Sequence, residues 1–293
     1  LNRVLNTKPP DRWYDELQQV ADVSEWVSYF AVNTVLANAE SGLGTGGPGD
    51  YALYDGVADP RFRLLIYDLD SVLGVEGGVE TPLLRATNNP AIRRFLTAPE
   101  VAPQYYRELN RLVDGPLRSD AVNALIDELL GDWVPPGAIQ FLKDSHVSRI
   151  AFLRSHIPPG LTVATTQSSY LWQWVSSNGV ANVYGQANPE VTRQVFVNGQ
   201  PAVWDPLTGG WSTQVTNLLP GVNLLRVQAV AADGSVVQES SISIWYNTGR
   251  MQEVGGLLSQ DTIWTPEAGP YHATNDLVVP SGTTLTILPG TTV

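Results

Sequence analysis

Apolar residues recur at helical spacing in the first half of the chain. From Trp26 to Leu36 they stand three or four positions apart. Asp22 and Glu25 precede this run with the spacing of a capping box, which marks the start of a helix. Similar patterns continue through residues 91–157, so this half is predicted to be mainly helical.

The second half carries short alternating runs separated by turn residues. Asn198-Gly199 and Asp233-Gly234 are typical of hairpin turns between strands. This spacing predicts a β-sandwich over residues 161–250. From residue 251 to 293, short strands divided by Pro-Gly-like turns predict the beginning of a stacked β-structure. The predicted fold class is therefore multidomain α+β, with domains at 1–160, 161–250 and 251–293.

Two carboxylates follow a short apolar run in the helical half. Leu64–Ile66 predicts a buried strand, and Asp68 and Asp70 come directly after it. Residues two apart on a strand share a face, so the two acids are expected to point the same way. Close like charges favour a bound cation, and oxygen ligands suit Mg²⁺, Mn²⁺ or Ca²⁺. A solvated turn with two acids is the alternative.

Two further acids are expected near this pair. Tyr51–Tyr54 predicts a strand that forms a hairpin with the run before Asp68, and Asp50 stands at the open end of that hairpin. Glu40 stands where the preceding helix ends. The Gly-rich loop between Glu40 and Asp50 is not a Walker A loop, because it lacks the lysine and the G-K-[ST] ending. These positions predict a shared acidic site, although Glu40 and Asp50 also fit as solvated loop acids.

The amino-acid composition of the chain argues against several classes of binding partner and chemistry. The chain has 29 acidic against 17 basic residues and a net charge of −12, which argues against nucleic acid and anionic membranes. It has no cysteine, which excludes thiol nucleophiles, disulfides and Cys–zinc sites. No run of 18 apolar residues predicts a membrane span. Because it starts at Leu1 and stops within a predicted strand, we expect it to be part of a longer protein.

Histidine and tryptophan carry weaker signals. His146, His156 and His272 form no legible Ser–His–Asp set. His146 is expected on the surface, and His156 is expected to favour the helix dipole in the last turn of its helix. Tryptophans in the predicted sandwich fit core packing better than a carbohydrate platform: Trp172, Trp174, Trp204, Trp211 and Trp245.

The order of these elements resembles the CotH family, a group of atypical kinase-like proteins named for a spore-coat protein. The resemblance covers roughly residues 10–157. It rests on the Trp26–Leu36 helix, the following loop, Tyr51–Tyr54, and the motif Tyr67-Asp-Leu-Asp-Ser-Val-Leu-Gly74. Residues 165–247 resemble bacterial Ig-like modules, and the C-terminal part resembles the start of a right-handed β-helix. Such modules imply an extracellular or cell-surface location.

The CotH resemblance implies a phosphotransferase that uses Mg²⁺ and ATP. Asp68 would bind the metal with Asp70 beside it. Glu40 falls where the family has a catalytic Asp, and Asp50 falls where it has an Asn, so both depart from the pattern. An ATP-binding N-lobe with its lysine is expected to be absent, since Lys8 and Lys143 are poorly placed to replace it. This chain alone is therefore expected to be inactive.

Three functions are open at this point. The first is a kinase-like phosphotransferase whose intact form binds ATP, with a protein substrate or a cell-surface component as partner. The second is a non-catalytic module that binds divalent cations. The third is a carbohydrate- or cell-surface-binding module of a large extracellular protein. Nucleic acid binding and membrane insertion are not expected.

Overall fold

The computed structural model describes residues 1–7, 10–170 and 173–293. Lys8 and Trp172, which entered the sequence predictions, lie outside these ranges. The chain divides into two compact units. The first comprises Leu1–Pro159, Asn188–Val191 and Pro206–Thr208, and the second comprises Gly160–Ala187, Thr192–Asp205 and Gly209–Val293. Helices dominate residues 1–159 and strands dominate the rest, which confirms the mixed α+β class.

The described part of the first unit contains seven α-helices and one two-stranded sheet. The helices are α1 (Asn2–Thr7), α2 (Pro10–Val20), α3 (Val23–Val35), α4 (Pro90–Thr97), α5 (Ala102–Asp114), α6 (Ser119–Leu130) and α7 (Pro136–His156). The sheet is a hairpin of β1 (Tyr51–Tyr54) and β2 (Arg63–Ile66). Short 3-10 turns occupy Gly42–Thr45 and Arg85–Asn88.

Helix α3 is the centre of the first unit. Its N-cap is Asp22, whose carboxylate accepts a hydrogen bond from the Glu25 amide at 3.4 Å, as the capping pattern predicts. Trp26 and Phe30 are fully buried, and both rings pack against Phe95 of α4, with centroids 5.6 and 5.8 Å away. Burial of these aromatic faces, rather than helix propensity, provides most of the stability of α3.

The hairpin covers the core with one face only. Tyr51 pairs with Ile66 and Tyr54 with Arg63. Leu64 is 3% exposed, but its neighbour Leu65 is 44% exposed. The prediction of a fully buried strand is therefore wrong at Leu65, because a two-stranded sheet packed on one side leaves alternate residues in solvent.

The second unit is built from β-strands throughout its described part. They are β3 (Ala164–Thr165), β4 (Ser168–Tyr170), β5 (Gln173–Ser176), β6 (Ala181–Gln186), β7 (Gln194–Val197), β8 (Gln200–Pro201), β9 (Val203–Asp205), β10 (Gly210–Val215), β11 (Gly221–Val230), β12 (Val236–Tyr246), β13 (Gln252–Leu257), β14 (Thr262–Trp264), β15 (Tyr271–Val278) and β16 (Leu285–Ile287).

Two sheets share one core in the second unit. One has the strand order β3-β6-β10-β9, and the other has the order β4-β5-β12-β11-β7-β8. Val183 and Trp211 of the first sheet lie in the same buried cluster as Leu225 and Ile244 of the second. The predicted turn at Asn198-Gly199 is confirmed, since it joins β7 to β8 with positive φ angles of 49° and 77°.

The tryptophans of this unit differ in exposure. Trp211 and Trp245 are buried, which confirms core packing for these two. Trp174 is 39% exposed, and Tyr170 on the paired strand β4 is 60% exposed.

The last four strands pair in a different way. β13 lies parallel to β15, and β14 lies parallel to β16. Each pair joins strands that are not consecutive in sequence, so the backbone returns to the same direction in two separate two-stranded sheets. No helix in the described part of the chain is long and apolar enough to cross a membrane.

Candidate functional site

The turn after β2 carries Asp68 and Asp70 in a conformation that the strand argument did not anticipate. β2 ends at Ile66, and Asp68 has a left-handed backbone with φ of 55°. The period-two rule holds only for extended backbone, so the prediction that both acids share a strand face is wrong. Asp tolerates the left-handed region because its short polar side chain can bond locally. Both side chains are exposed.

The backbone of Glu40 connects this turn to the start of the hairpin. The Glu40 amide donates to the hydroxyl of Ser71 at 3.2 Å, and the Glu40 carbonyl accepts from the Asp50 amide at 3.4 Å. A third bond runs from the Ala39 amide to the Ser71 carbonyl at 3.3 Å. The three segments that the sequence predicted to converge are therefore joined by hydrogen bonds.

A buried network of uncharged side chains fixes these segments. The side-chain oxygen of Asn38 accepts from the Ser71 hydroxyl at 2.7 Å and from the Glu40 amide at 3.2 Å. Its amide group donates to the side-chain oxygen of Asn33 on α3 at 3.0 Å. Asn33, Asn38 and Ser71 are each at most 4% exposed. Buried amides with several partners hold a loop in one conformation, so this network sets the position of Glu40.

Mutual repulsion raises the pKa of the Glu40 carboxyl group. Glu76 is the main cause, followed by partial desolvation and by the charges of Asp70, Asp50 and Asp68. None of these five carboxylates forms an ion pair with a described residue. They form one region of unbalanced negative charge, which we call the acidic cluster: Glu40, Asp50, Asp68, Asp70 and Glu76.

Glu76 was missed in the sequence. It lies six positions after Asp70 in a Gly-rich stretch, and a turn at Gly74 could have suggested that the chain folds back. Lys143 lies outside the cluster, since its ammonium group pairs with Asp127 of α6. Among the described residues, no three His, Asp or Glu side chains come close enough together to hold a metal ion by themselves.

A close backbone contact shapes the loop that bears Glu76. A Cβ atom added to Gly77 would lie 1.9 Å from the Ala37 carbonyl oxygen, whereas one added to Gly78 would meet nothing within 4 Å. Ala37 is itself left-handed, with φ of 51°. Only glycine allows the two backbone segments to approach so closely.

We expect Gly77→Ala to destabilise the first unit by about 1–3 kcal/mol, because the new methyl group forces the two backbones apart. Gly78→Ala is the matched control and is expected to change stability by less than about 0.5 kcal/mol. The stability changes caused by the two substitutions are measured by amide hydrogen exchange in α3 and α7. Equal effects of the two substitutions would contradict the contact.

Arg149 connects helix α7 to the loop that follows the acidic cluster and to the end of α3. Its guanidinium donates to the carbonyls of Val79 at 2.7 Å, Thr81 at 2.5 Å and Thr34 at 2.6 Å. The side chain is only 3% exposed, and burial lowers its pKa to about 10, so it stays charged at neutral pH. It pairs with carbonyl oxygens instead of a carboxylate and so ties the end of α3 to the loop after Gly77.

His146 is buried, which contradicts the expected surface position. Its ring is 1% exposed and its Nε2 lies 2.8 Å from the Leu117 carbonyl oxygen. The apolar spacing of α7 is weak because the face that it buries includes the polar residues His146 and Arg149, while Phe141 and Val147 are exposed. His156, in the last turn of α7, is exposed, and its ring stacks on that of Phe152 with the two centroids 3.9 Å apart. This contact is in keeping with a structural role.

Stability is expected to fall in acid because of His146. Burial lowers its folded pKa below the ordinary 6.5, so the unfolded chain binds the proton first. The stabilising contribution is complete above pH 6.5 and is lost as the pH falls from there through the lowered folded pKa, by at most about 1.4 kcal/mol per pH unit. Urea unfolding at pH 7.5 and 5.5 should show a smaller loss in His146→Gln than in wild type.

His156→Gln serves as the control for that experiment, because this side chain is exposed on the same helix. It should retain the wild-type difference between the two pH values. An unchanged pH dependence in His146→Gln would rule out His146 as the acid-sensitive group.

The first unit is mainly helical and presents carboxylates at one end of its hairpin. The family described as CotH kinase protein matches residues 1–148, about half of the 293 residues. The chain therefore belongs to the CotH kinase protein family. No curated protein matches it.

Proposed function

We propose that residues 1–157 supply the acidic part of a kinase-like phosphotransfer site. In this proposal Asp68 and Asp70 bind a divalent cation, Glu40 orients the acceptor hydroxyl, and Asp50 adds negative charge. One observation carries the proposal. The Glu40 backbone is hydrogen-bonded to Ser71 and to Asp50, so the three segments that carry the acids lie side by side without a basic partner among the described residues. The raised pKa of Glu40, caused mainly by Glu76, agrees with this arrangement.

The donor atoms fit Mg²⁺, and Mn²⁺ or Ca²⁺ are the alternatives. The cluster offers carboxylate oxygens only, but no group of three is already assembled in the described part of the chain. Mg²⁺ commonly uses one or two protein carboxylates and takes its other ligands from water and substrate phosphates. This donor set therefore suits a cation that arrives with ATP better than a permanent all-protein site. When bound, such a cation would neutralise negative charge on the phosphates.

Glu40 combines a fixed backbone with a free carboxylate. Its amide and carbonyl are held by Ser71 and Asp50, while the side chain is exposed. A raised pKa makes the carboxylate a stronger base than an ordinary Glu. Glu is one methylene longer than the Asp expected from the family pattern, so the acceptor must sit correspondingly farther from the backbone.

The second unit would act as an exported adhesion part of the same protein. Two sheets that share a core support an Ig-like module over 161–250, and parallel pairing of β13 with β15 and β14 with β16 supports a β-helix start over 251–293. Both modules suit an extracellular or cell-surface protein, with a protein substrate or a surface component as partner.

Two non-catalytic functions compete with this proposal. Binding of a divalent cation without phosphotransfer would use the same acidic cluster. Carbohydrate binding is favoured by the exposed ring of Trp174 on β5. A glycan array probed with the whole chain, and with a Trp174→Ala variant, tests the carbohydrate alternative.

Asp68→Asn is expected to weaken Mn²⁺ binding to the chain at least about 10-fold, since even outer-shell partners of a metal contribute that much. Isothermal calorimetry measures it. Asp55→Asn is the matched control, because Asp55 is an exposed acid beyond the opposite end of the same hairpin. Its affinity should equal that of wild type. Equal losses in both variants would indicate non-specific attraction by net charge.

The phosphotransfer part is tested on the full-length polypeptide with Mg²⁺ and ATP. Binding of both, and transfer of labelled phosphate that Asp68→Asn abolishes, supports the kinase-like function. Ca²⁺ binding without nucleotide binding favours the non-catalytic module. Absence of both cation and nucleotide binding rejects the proposal.

A further inference from the structure

A small, partly enclosed cavity lies between helix α7 and the loop that follows Asp70. Its volume is about 10 Å³, and its walls include Ala37, Leu73, Gly74, His146 and Arg149. A water molecule needs roughly 10–15 Å³ of such space. The cavity therefore has room for one water molecule.

Two buried nitrogen atoms of these wall residues have no partner in the described part of the chain. They are Nδ1 of His146 and Nε of Arg149, on side chains that are 1% and 3% exposed. A buried polar atom without a hydrogen bond is unfavourable, so native proteins pair such atoms with protein or with internal water. The two residues that carry these atoms line the same cavity, which points to a common occupant.

The hydrogen-bonding roles of the two nitrogens identify that occupant. His146 Nε2 faces the Leu117 carbonyl oxygen, which can only accept, so Nε2 carries the hydrogen. Burial keeps the imidazole neutral, and Nδ1 is then an acceptor. Arg149 Nε carries a hydrogen and is a donor only. The occupant must accept from Arg149 and donate to His146, which water does. Chloride cannot donate, and a metal cation is repelled by the guanidinium.

We propose that one internal water molecule is bound in this cavity, between Arg149 Nε and His146 Nδ1. It fills the space beneath a strained wall, since Ala37, Leu73 and Gly74 have left-handed φ angles of 51°, 55° and 85°. Two of these are not glycine, and such a backbone is unfavourable for residues with a side chain. This inference does not depend on the phosphotransfer proposal.

Crystallography of the chain grown in sodium bromide tests the identity of the occupant. We expect one density peak, 2.7–3.2 Å from both nitrogen atoms, without anomalous signal at the bromine edge. An anomalous peak in the cavity would identify an anion site and overturn the proposal. A cavity without density at high resolution would overturn it as well.

NMR of the wild-type chain tests the same bonds in solution and needs no variant. We expect a neutral His146 with its hydrogen on Nε2, and a nuclear Overhauser effect between long-lived water and the Arg149 Hε. His146→Phe should abolish the water effect, and His156→Phe, on an exposed position of α7, should preserve it. A hydrogen on Nδ1, or no water effect at Arg149 in wild type, would contradict the inference.

Discussion

Replacing Arg149 by alanine is expected to destabilise the first unit by about 3–5 kcal/mol. The substitution removes the donor of the half-buried carbonyls of Val79 and Thr81. It also leaves the Thr34 carbonyl with only the Ala37 amide as donor among the described residues. Each unpaired buried group costs about 1–3 kcal/mol, and the costs are only partly additive because the loop relaxes. Packing of the guanidinium 5.3 Å from the centre of the Phe152 ring is lost too.

Amide hydrogen exchange is the measurement of choice, since a chain of two units does not unfold as one two-state system. Protection in α5 and α7 should fall more than about 100-fold in Arg149→Ala. Arg154→Ala is the matched control on the same helix, because its ion pair with Asp114 is largely exposed and is worth at most about 1 kcal/mol. If the two variants lose the same protection, the buried contacts of Arg149 do not stabilise the unit.

Asn38→Leu is expected to lower the free energy of unfolding of the first unit by about 2–4 kcal/mol and to weaken cation binding at the same time. The new side chain has nearly the same volume but forms none of the bonds to Ser71, Glu40 and Asn33. The segment that bears Glu40 loses one of its hydrogen bonds to Ser71, which follows Asp70, while the bonds from the Ala39 and Glu40 amides to Ser71 remain. A stability loss accompanied by lower Mn²⁺ affinity would link the buried network to the acidic cluster.

The control for Asn38 is Asn6→Leu. Asn6 is exposed on α1, and its side chain bonds only within its own helical turn to Asn2. We expect Asn6→Leu to change the free energy of unfolding by less than about 0.5 kcal/mol and to leave the Mn²⁺ affinity unchanged. An Asn38 variant that loses stability but binds Mn²⁺ normally would show that the network supports the fold without positioning the cluster.

Local sequence patterns predicted the elements that local interactions determine. The Asp22–Glu25 cap, the helix that follows it and the Asn198-Gly199 hairpin each depend on residues a few positions apart. The convergence of Glu40, Asp50 and the Asp70 turn was also predictable, because a short hairpin brings its two ends together.

Contacts between residues distant in sequence were not predictable in this way. Arg149 bonds to carbonyls 68 to 115 positions away, and nothing in its neighbourhood on α7 marks it as buried. The ring of His146 is hydrogen-bonded to Leu117, a residue that also lies outside α7. The left-handed Asp68 shows the same limit, since the extended pattern before it gave no sign that the strand stops at Ile66.

The uncharged character of the Asn33–Asn38–Ser71 network has a consequence for behaviour in salt. At 0.1 M salt the screening length is about 10 Å, and it shortens as salt rises, so dissolved ions weaken the repulsion among exposed carboxylates. They barely affect hydrogen bonds between buried neutral groups. Rising ionic strength should therefore bring the pKa of Glu40 back toward its ordinary value and lower the attraction for cations. The Asn33–Asn38–Ser71 network would keep its conformation. Salt should therefore change the electrostatics of the acidic cluster without changing the structure that holds it.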